Sequence, residues 1–131
     1  MRILIICLMF LSMNLFAEQQ PLPLDGKAYI GSIGYKGSDL ISEKDDVLTF
    51  KDGKFYSATC KVWGFDGGQY SVEQSGDTIK FKALTSSEDH GQIEWEGTIS
   101  GDEINATLTW TKERWWWTDA REEKWFRGNV K

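Results

Sequence analysis

"QIEWEGTI" (92–99) and "INATLTWT" (104–111) are separated by "SGDE" (100–103), and this stretch decides the fold. Folding the chain back at Ser100–Glu103 sets Ile99 opposite Ile104, Gly97 opposite Ala106, Trp95 opposite Leu108 and Ile93 opposite Trp110. Every member of that set is apolar or glycine. The intervening positions pair Thr98 with Asn105, Glu96 with Thr107 and Glu94 with Thr109. Neighbouring side chains in a strand point to opposite faces, so the hairpin has one dry face and one wet face. Ser-Gly-Asp supplies the turn, because Gly and Asp tolerate the backbone conformations a tight hairpin demands.

The same grammar recurs outward in both directions. "DGK" at 25–27, "DGK" at 52–54 and "SGD" at 75–77 precede the "SGD" at 100–102. Around the 75–77 turn, Tyr70 and Val72 fall on one face with Ile79, Phe81 and Ala83, while Lys80 and Lys82 face the other way. No window past residue 25 sustains a helical period, so no helix is expected. Eight strands are predicted, at about 27–33, 47–51, 54–60, 68–74, 78–85, 92–99, 104–111 and 122–130. Eight short antiparallel strands in sequence predict an all-β fold, an eight-stranded antiparallel up-and-down β-barrel, with a β-sandwich as the alternative. Closure removes the sheet edges, which favours the barrel.

In such a barrel the connections alternate between the two ends. The tight turns at 52–53, 75–77 and 101–103 then share one end, and the links at 34–46, 61–67, 86–91 and 112–121 share the other. The second end is a loop-rich mouth, where binding residues are expected. It receives Tyr35, Trp63, Phe65 and the run Trp115, Trp116 and Trp117. Three consecutive tryptophans cannot all enter one core from a strand, so at least one indole is left for a ligand or partner. In the structural alternative Trp115 and Trp117 fold inward as a plug, with Trp63, Trp95, Trp110 and Trp125 in core or wall. Phe50, Phe55, Tyr70, Phe81, Trp95 and Trp110 are predicted to fill the interior, leaving room for a shallow pocket only.

The ends of the chain and its charge complete the reading. Residues 1–17, "MRILIICLMFLSMNLFA", have a positive start, an apolar run and a small closing Ala17, the pattern of a secretory signal. Export with cleavage near Ala17 is expected, to the periplasm or beyond, with no stable membrane insertion. Residues 18–25 are expected to be an extended segment and residues 26–131 the barrel. Cleavage would leave Cys60 as the one cysteine, placed at a strand end and expected to be buried. The net charge of −5 excludes nucleic acid as a natural partner. His90, in "SSEDHG", is the single histidine and reads as part of a polar turn. Asp45-Asp46 and Glu88-Asp89 read as solvated loop charge, so neither a catalytic centre nor a metal site is predicted, and no cofactor.

The stretch "WEGTISGDEINATLTW" (95–110), with its Trp-x-Gly, Gly-x-x-Ile and Thr-x-x-Trp spacing, and the closing "KWFRG" (124–128) resemble small secreted bacterial calycin-like proteins. Lipocalins and avidins belong to the same structural group. The resemblance implies a barrel with a cup and nothing sharper. The aromatic-rimmed mouth and the absence of catalytic groupings in the sequence lead to the functional expectation, a non-enzymatic, monomeric binding protein for a small apolar ligand. Its alternative is a protein-binding module, such as a periplasmic protease inhibitor or an envelope assembly factor.

Overall fold

In a computed structural model, residues 22–114 and 118–131 are described. The signal-like stretch 1–17, residues 18–21 and Trp115–Trp117 lie outside them. The strands are β1 (Ala28–Tyr35), β2 (Ile41–Lys51), β3 (Lys54–Ser57), β4 (Gly68–Ser75), β5 (Thr78–Ser87), β6 (Gly91–Ser100), β7 (Glu103–Lys112) and β8 (Ala120–Val130). They close in sequence order, every pair antiparallel, with β8 returning to β1. The chain is an eight-stranded antiparallel up-and-down barrel.

The β6–β7 hairpin has the register that its alternation dictates. Ile99 pairs with Ile104, Gly97 with Ala106, Trp95 with Leu108 and Ile93 with Trp110. Gly97 is required here: a Cβ on it would stand 2.5 Å from the Phe81 ring, so the missing side chain is what admits Phe81 to the interior. Leu48, Phe50, Phe55, Tyr70, Phe81, Trp95 and Phe126 are buried and fill the lower and middle barrel. Phe50 meets Phe55, Tyr70 and Phe81 edge-on, at centroid separations of 5.3, 4.9 and 5.2 Å.

Two elements depart from the sequence reading. The third strand stops at Ser57, and Ala58–Lys61 form a single helical turn, α1, where strand was predicted to continue to residue 60. Its cause is Asp46, which is fully buried inside the barrel and not solvated loop charge. Asp46 accepts from the Thr59 N–H at 2.9 Å and from the Ser57 hydroxyl at 2.8 Å, and Ser57 Oγ accepts from the Cys60 N–H at 3.3 Å. The first N–H groups of a helix need acceptors outside it, and these two side chains provide them. With the chain diverted into α1, β3 and β4 share just two paired positions, Lys54 with Gln69 and Phe55 with Gly68.

The second departure is length. β2 begins at Ile41, not near residue 47, so the β1–β2 link shrinks to 36–40, and the β5–β6 link to 88–90. An extra residue in β2 near Asp45, whose φ is +57°, lets the early part of that strand pair with β1. The links of the mouth still exceed the two-residue turns of the other end.

The closed end carries a further surprise. Leu22–Gly26 form a turn instead of an extended arm, tied by Lys27 N–H to Leu24 O at 3.0 Å and Gly26 N–H to Phe50 O at 2.7 Å. The apolar Leu24 is fully buried, which an extended solvated segment would not permit. Asp25 accepts from the Tyr70 hydroxyl at 2.6 Å and the Gly53 N–H at 3.0 Å, latching the turn to β4 and the β2–β3 hairpin. These two bonds, the first above all, hold the Asp25 carboxyl below its ordinary range.

Candidate functional site

Opposite that latch, the upper ends of the strands surround a cavity of about 360 Å³. Its lining combines Ile33, Ile93, Leu108, Trp110 and Phe65 with Cys60, Thr59, Trp63 and His90, and adds Glu43, Glu122 and Lys124. Register explains most of this set. Ile93 and Trp110 continue the inward face of the β6–β7 hairpin, one step above the Trp95–Leu108 pair. Lys124 and Glu122 continue the inward face of β8 above Phe126, opposite Leu108 and Trp110. Glu43, though exposed, lines the cavity because the Asp45 bulge shifts the alternation of β2 between Asp46 and Glu43.

The link that follows α1 supplies the aromatic side of the cup. The turn directs Cys60 inward and Phe65 into a buried position, while Trp63 remains 59% exposed. Trp63 meets the His90 ring edge-on, 5.7 Å between centroids. The Ser87 hydroxyl donates to the Trp63 carbonyl, and the Trp110 indole N–H donates to the His90 carbonyl at 2.6 Å. These bonds tie the β3–β4 and β5–β6 links and β7 into one wall. Beneath it, Thr85 Oγ1 and Trp95 Nε1 are buried without a partner among the described residues, beside Ile93 and Leu108 in the sheet.

Of the residues the sequence nominates, Trp63 and Phe65 line the cavity and Tyr35 does not. Tyr35 stands at the rim, half-exposed, with the Lys124 ammonium 5.2 Å from its ring centroid. Trp115, Trp116 and Trp117, the other nominated residues, lie outside the described residues. Trp95 is core, and Trp125 is wall: it lies across Gly34 on the outside, under the Arg127 guanidinium, its N–H donating to Ser38 O. Sequence reasoning missed Ile33, Ile93, Leu108, Glu122 and Lys124 as lining. Inward parity together with the position of the mouth would have found them. Nothing local marks Glu43, whose place in the lining depends on the bulge.

Cys60 is buried and free, as expected. Burial is the main cause that pushes its thiol up to about 11, with Ser57 Oγ as a smaller opposing influence, so it is protonated at neutral pH.

Comparison with protein-family models, curated proteins and solved structures returns no match. Among the described residues no helix is long and apolar enough to cross a membrane.

Proposed function

We propose that this chain is an exported, monomeric, non-enzymatic binding protein whose cup takes a small apolar ligand, as a calycin-like barrel would. The observation that carries the reading is the cavity at the mouth, about 360 Å³ and walled by Ile33, Ile93, Leu108, Trp110 and Phe65. That volume stands at the small end of ligand pockets, which run from ~300 to ~1,000 Å³. The solid interior below it confines a ligand to the upper barrel. Export rests on the pattern of residues 1–17 and is checked by the mass and compartment of the processed protein.

Native mass spectrometry of freshly purified protein, with tryptophan fluorescence titrations of small apolar compounds, tests the ligand. A retained small molecule, or a saturable shift lost in Leu108→Phe, supports the cup. Absence of both overturns it. The second reading, a protein-binding module, is favoured by Val62, next to Trp63 in the chain, and Leu40, which are 83% and 68% exposed on two links of the same end. Retention of an envelope protein by the wild type, lost on Val62→Asp with Trp63→Ala, would select it.

A further inference from the structure

We infer that the ligand of this cup is a small amphipathic cation, an amine carried on an apolar or aromatic body. The inference rests on the reading of the cavity as a ligand site and adds the charge of its occupant.

The lining is unevenly divided. Its charged side chains, Glu43, Glu122 and Lys124, come from β2 and β8, the two neighbours of β1. Its aromatic side chains, Trp63, Phe65, His90 and Trp110, come from the β3–β4 and β5–β6 links and β7. Glu122 is paired directly with Trp110 across β7 and β8, so a ligand in the cup meets a carboxylate beside an indole. Two carboxylates stand against one ammonium. That ammonium is already engaged, over the Tyr35 ring and 3.9 Å from Glu122. Lys112, one step further out on β7, does not line the cavity. Among the described residues Glu43 has no ion-pair partner, so an acidic amphiphile would meet a net negative wall, whereas an amine gains Glu43 and shares Glu122 with Lys124. Amines are also drawn to the faces of indoles.

A second hollow points the same way. Trp63 and His90 are shared between the cup and a groove on its outer side, lined by Val62, Asp66, Ser86, Ser87, Glu88 and Asp89. That groove carries three carboxylates and no lysine or arginine in its lining. A cation approaching the Trp63–His90 partition meets net negative charge on both sides of it, on a chain that is negative as a whole.

Calorimetric titration of the full-length processed protein with 1-naphthylmethylamine, 1-naphthylmethanol and 1-naphthylacetate holds the ring constant and varies the head. The expected order is amine, alcohol, acid, with at least about tenfold between amine and acid, equivalent to ~1.4 kcal/mol. In Glu43→Gln/Glu122→Gln, checked for native circular dichroism, the amine falls to within about threefold of the alcohol and the alcohol is unchanged. An acid that binds as tightly as the amine, or an amine whose affinity survives the double substitution, overturns the cationic assignment and leaves the apolar cup standing. If none of the three binds, the cup itself is refuted and this inference with it.

Discussion

The two ends of this barrel are built from the same strands and differ in what they do with their inward residues. At the closed end, two-residue turns bring Tyr29, Phe50, Ile99 and Ile104 together, Leu24 covers them, and the Asp25 latch holds the cover. At the mouth, longer links splay apart, the lining positions carry Glu43, Glu122 and Lys124 beside Ile93 and Leu108, and a cavity remains. Asp46 and Ser57 mark the boundary between them, because they stop β3 and turn the chain into the aromatic link. The contrast separates stability from recognition along the barrel axis. Substitutions below the boundary should unfold the protein, and substitutions above it should change what the protein holds.

The largest effect is expected from Phe50→Ala. This ring touches Tyr29, Phe55, Tyr70 and Phe81, and its removal deletes the centre of the closed end. A buried Phe→Ala change costs about 3–5 kcal/mol, so the denaturant midpoint should drop by that equivalent. A loss under about 1 kcal/mol would mean that the closed end is not the stable half.

Asp46→Ala should follow, at about 2–3 kcal/mol, since it strips two hydrogen bonds from a buried site and leaves the Thr59 N–H unpaired. Its signature is local. Amide exchange at Thr59 and Cys60 should rise more than in the β6–β7 hairpin, and the mouth should lose its fixed aromatic wall while the closed end persists. Equal loss of protection at both ends would erase the boundary drawn at Asp46.

This boundary also divides what could be read from the sequence. The β6–β7 register was legible to the residue, because a two-residue periodicity and a Ser-Gly-Asp turn leave a single pairing that keeps Trp95, Leu108 and their neighbours on one face. The closed interior followed from the same rule applied to Phe50, Phe55, Tyr70 and Phe81. The exceptions share a cause. Helix α1 depends on Asp46, eleven residues before its Ser57 partner, and no local pattern announces a capping group from another strand. Glu43 depends on the bulge at Asp45. Leu24 depends on a hairpin and a β4 tyrosine that hold Asp25 from a distance. Local periodicity finds strands and cannot find contacts made by side chains far apart in the chain. The cup was located by topology, which sent all four longer links to one end, but its charged wall was not.

Each end also carries one carboxyl held below its ordinary range, and the two are held differently. Asp25 is held by neutral donors, the Tyr70 hydroxyl first and the Gly53 N–H second. Glu123, on the outer face of β8 near the mouth, is held by hydrogen bonds from Lys36 and then Arg121. A folded-state pKa below the unfolded value means that the unfolded chain binds more protons, so stability rises with pH in that range. Both contributions are complete above about pH 4–4.5, the ordinary range of these groups, and are withdrawn as pH falls through the lowered values. Asp25→Asn should therefore flatten the acid limb of the stability profile, and the flattening should persist in about 0.5 M salt. Glu123→Gln should give a shallower change that salt removes, because exposed ion pairs are screened. Identical salt responses would show that the two carboxyls are not held by different means.

Trp63→Ala should have the smallest effect on stability and so completes the contrast with Phe50→Ala. More than half of Trp63 is exposed, its ring meets one aromatic neighbour among the described residues, His90, and the hydrogen bond it contributes to the wall is accepted by its backbone carbonyl. Truncation leaves that bond in place and removes little buried area, so the midpoint should move by no more than about 0.5 kcal/mol, the range of ordinary surface substitutions. The same substitution removes an indole from the cup and should weaken 1-naphthylmethylamine binding several-fold. A large indole that costs nothing to the fold and something to the ligand is the behaviour expected of a binding residue. If Trp63→Ala instead destabilised the protein by more than about 2 kcal/mol, the indole would be acting as a plug, and the aromatic wall would belong to the core rather than to the site.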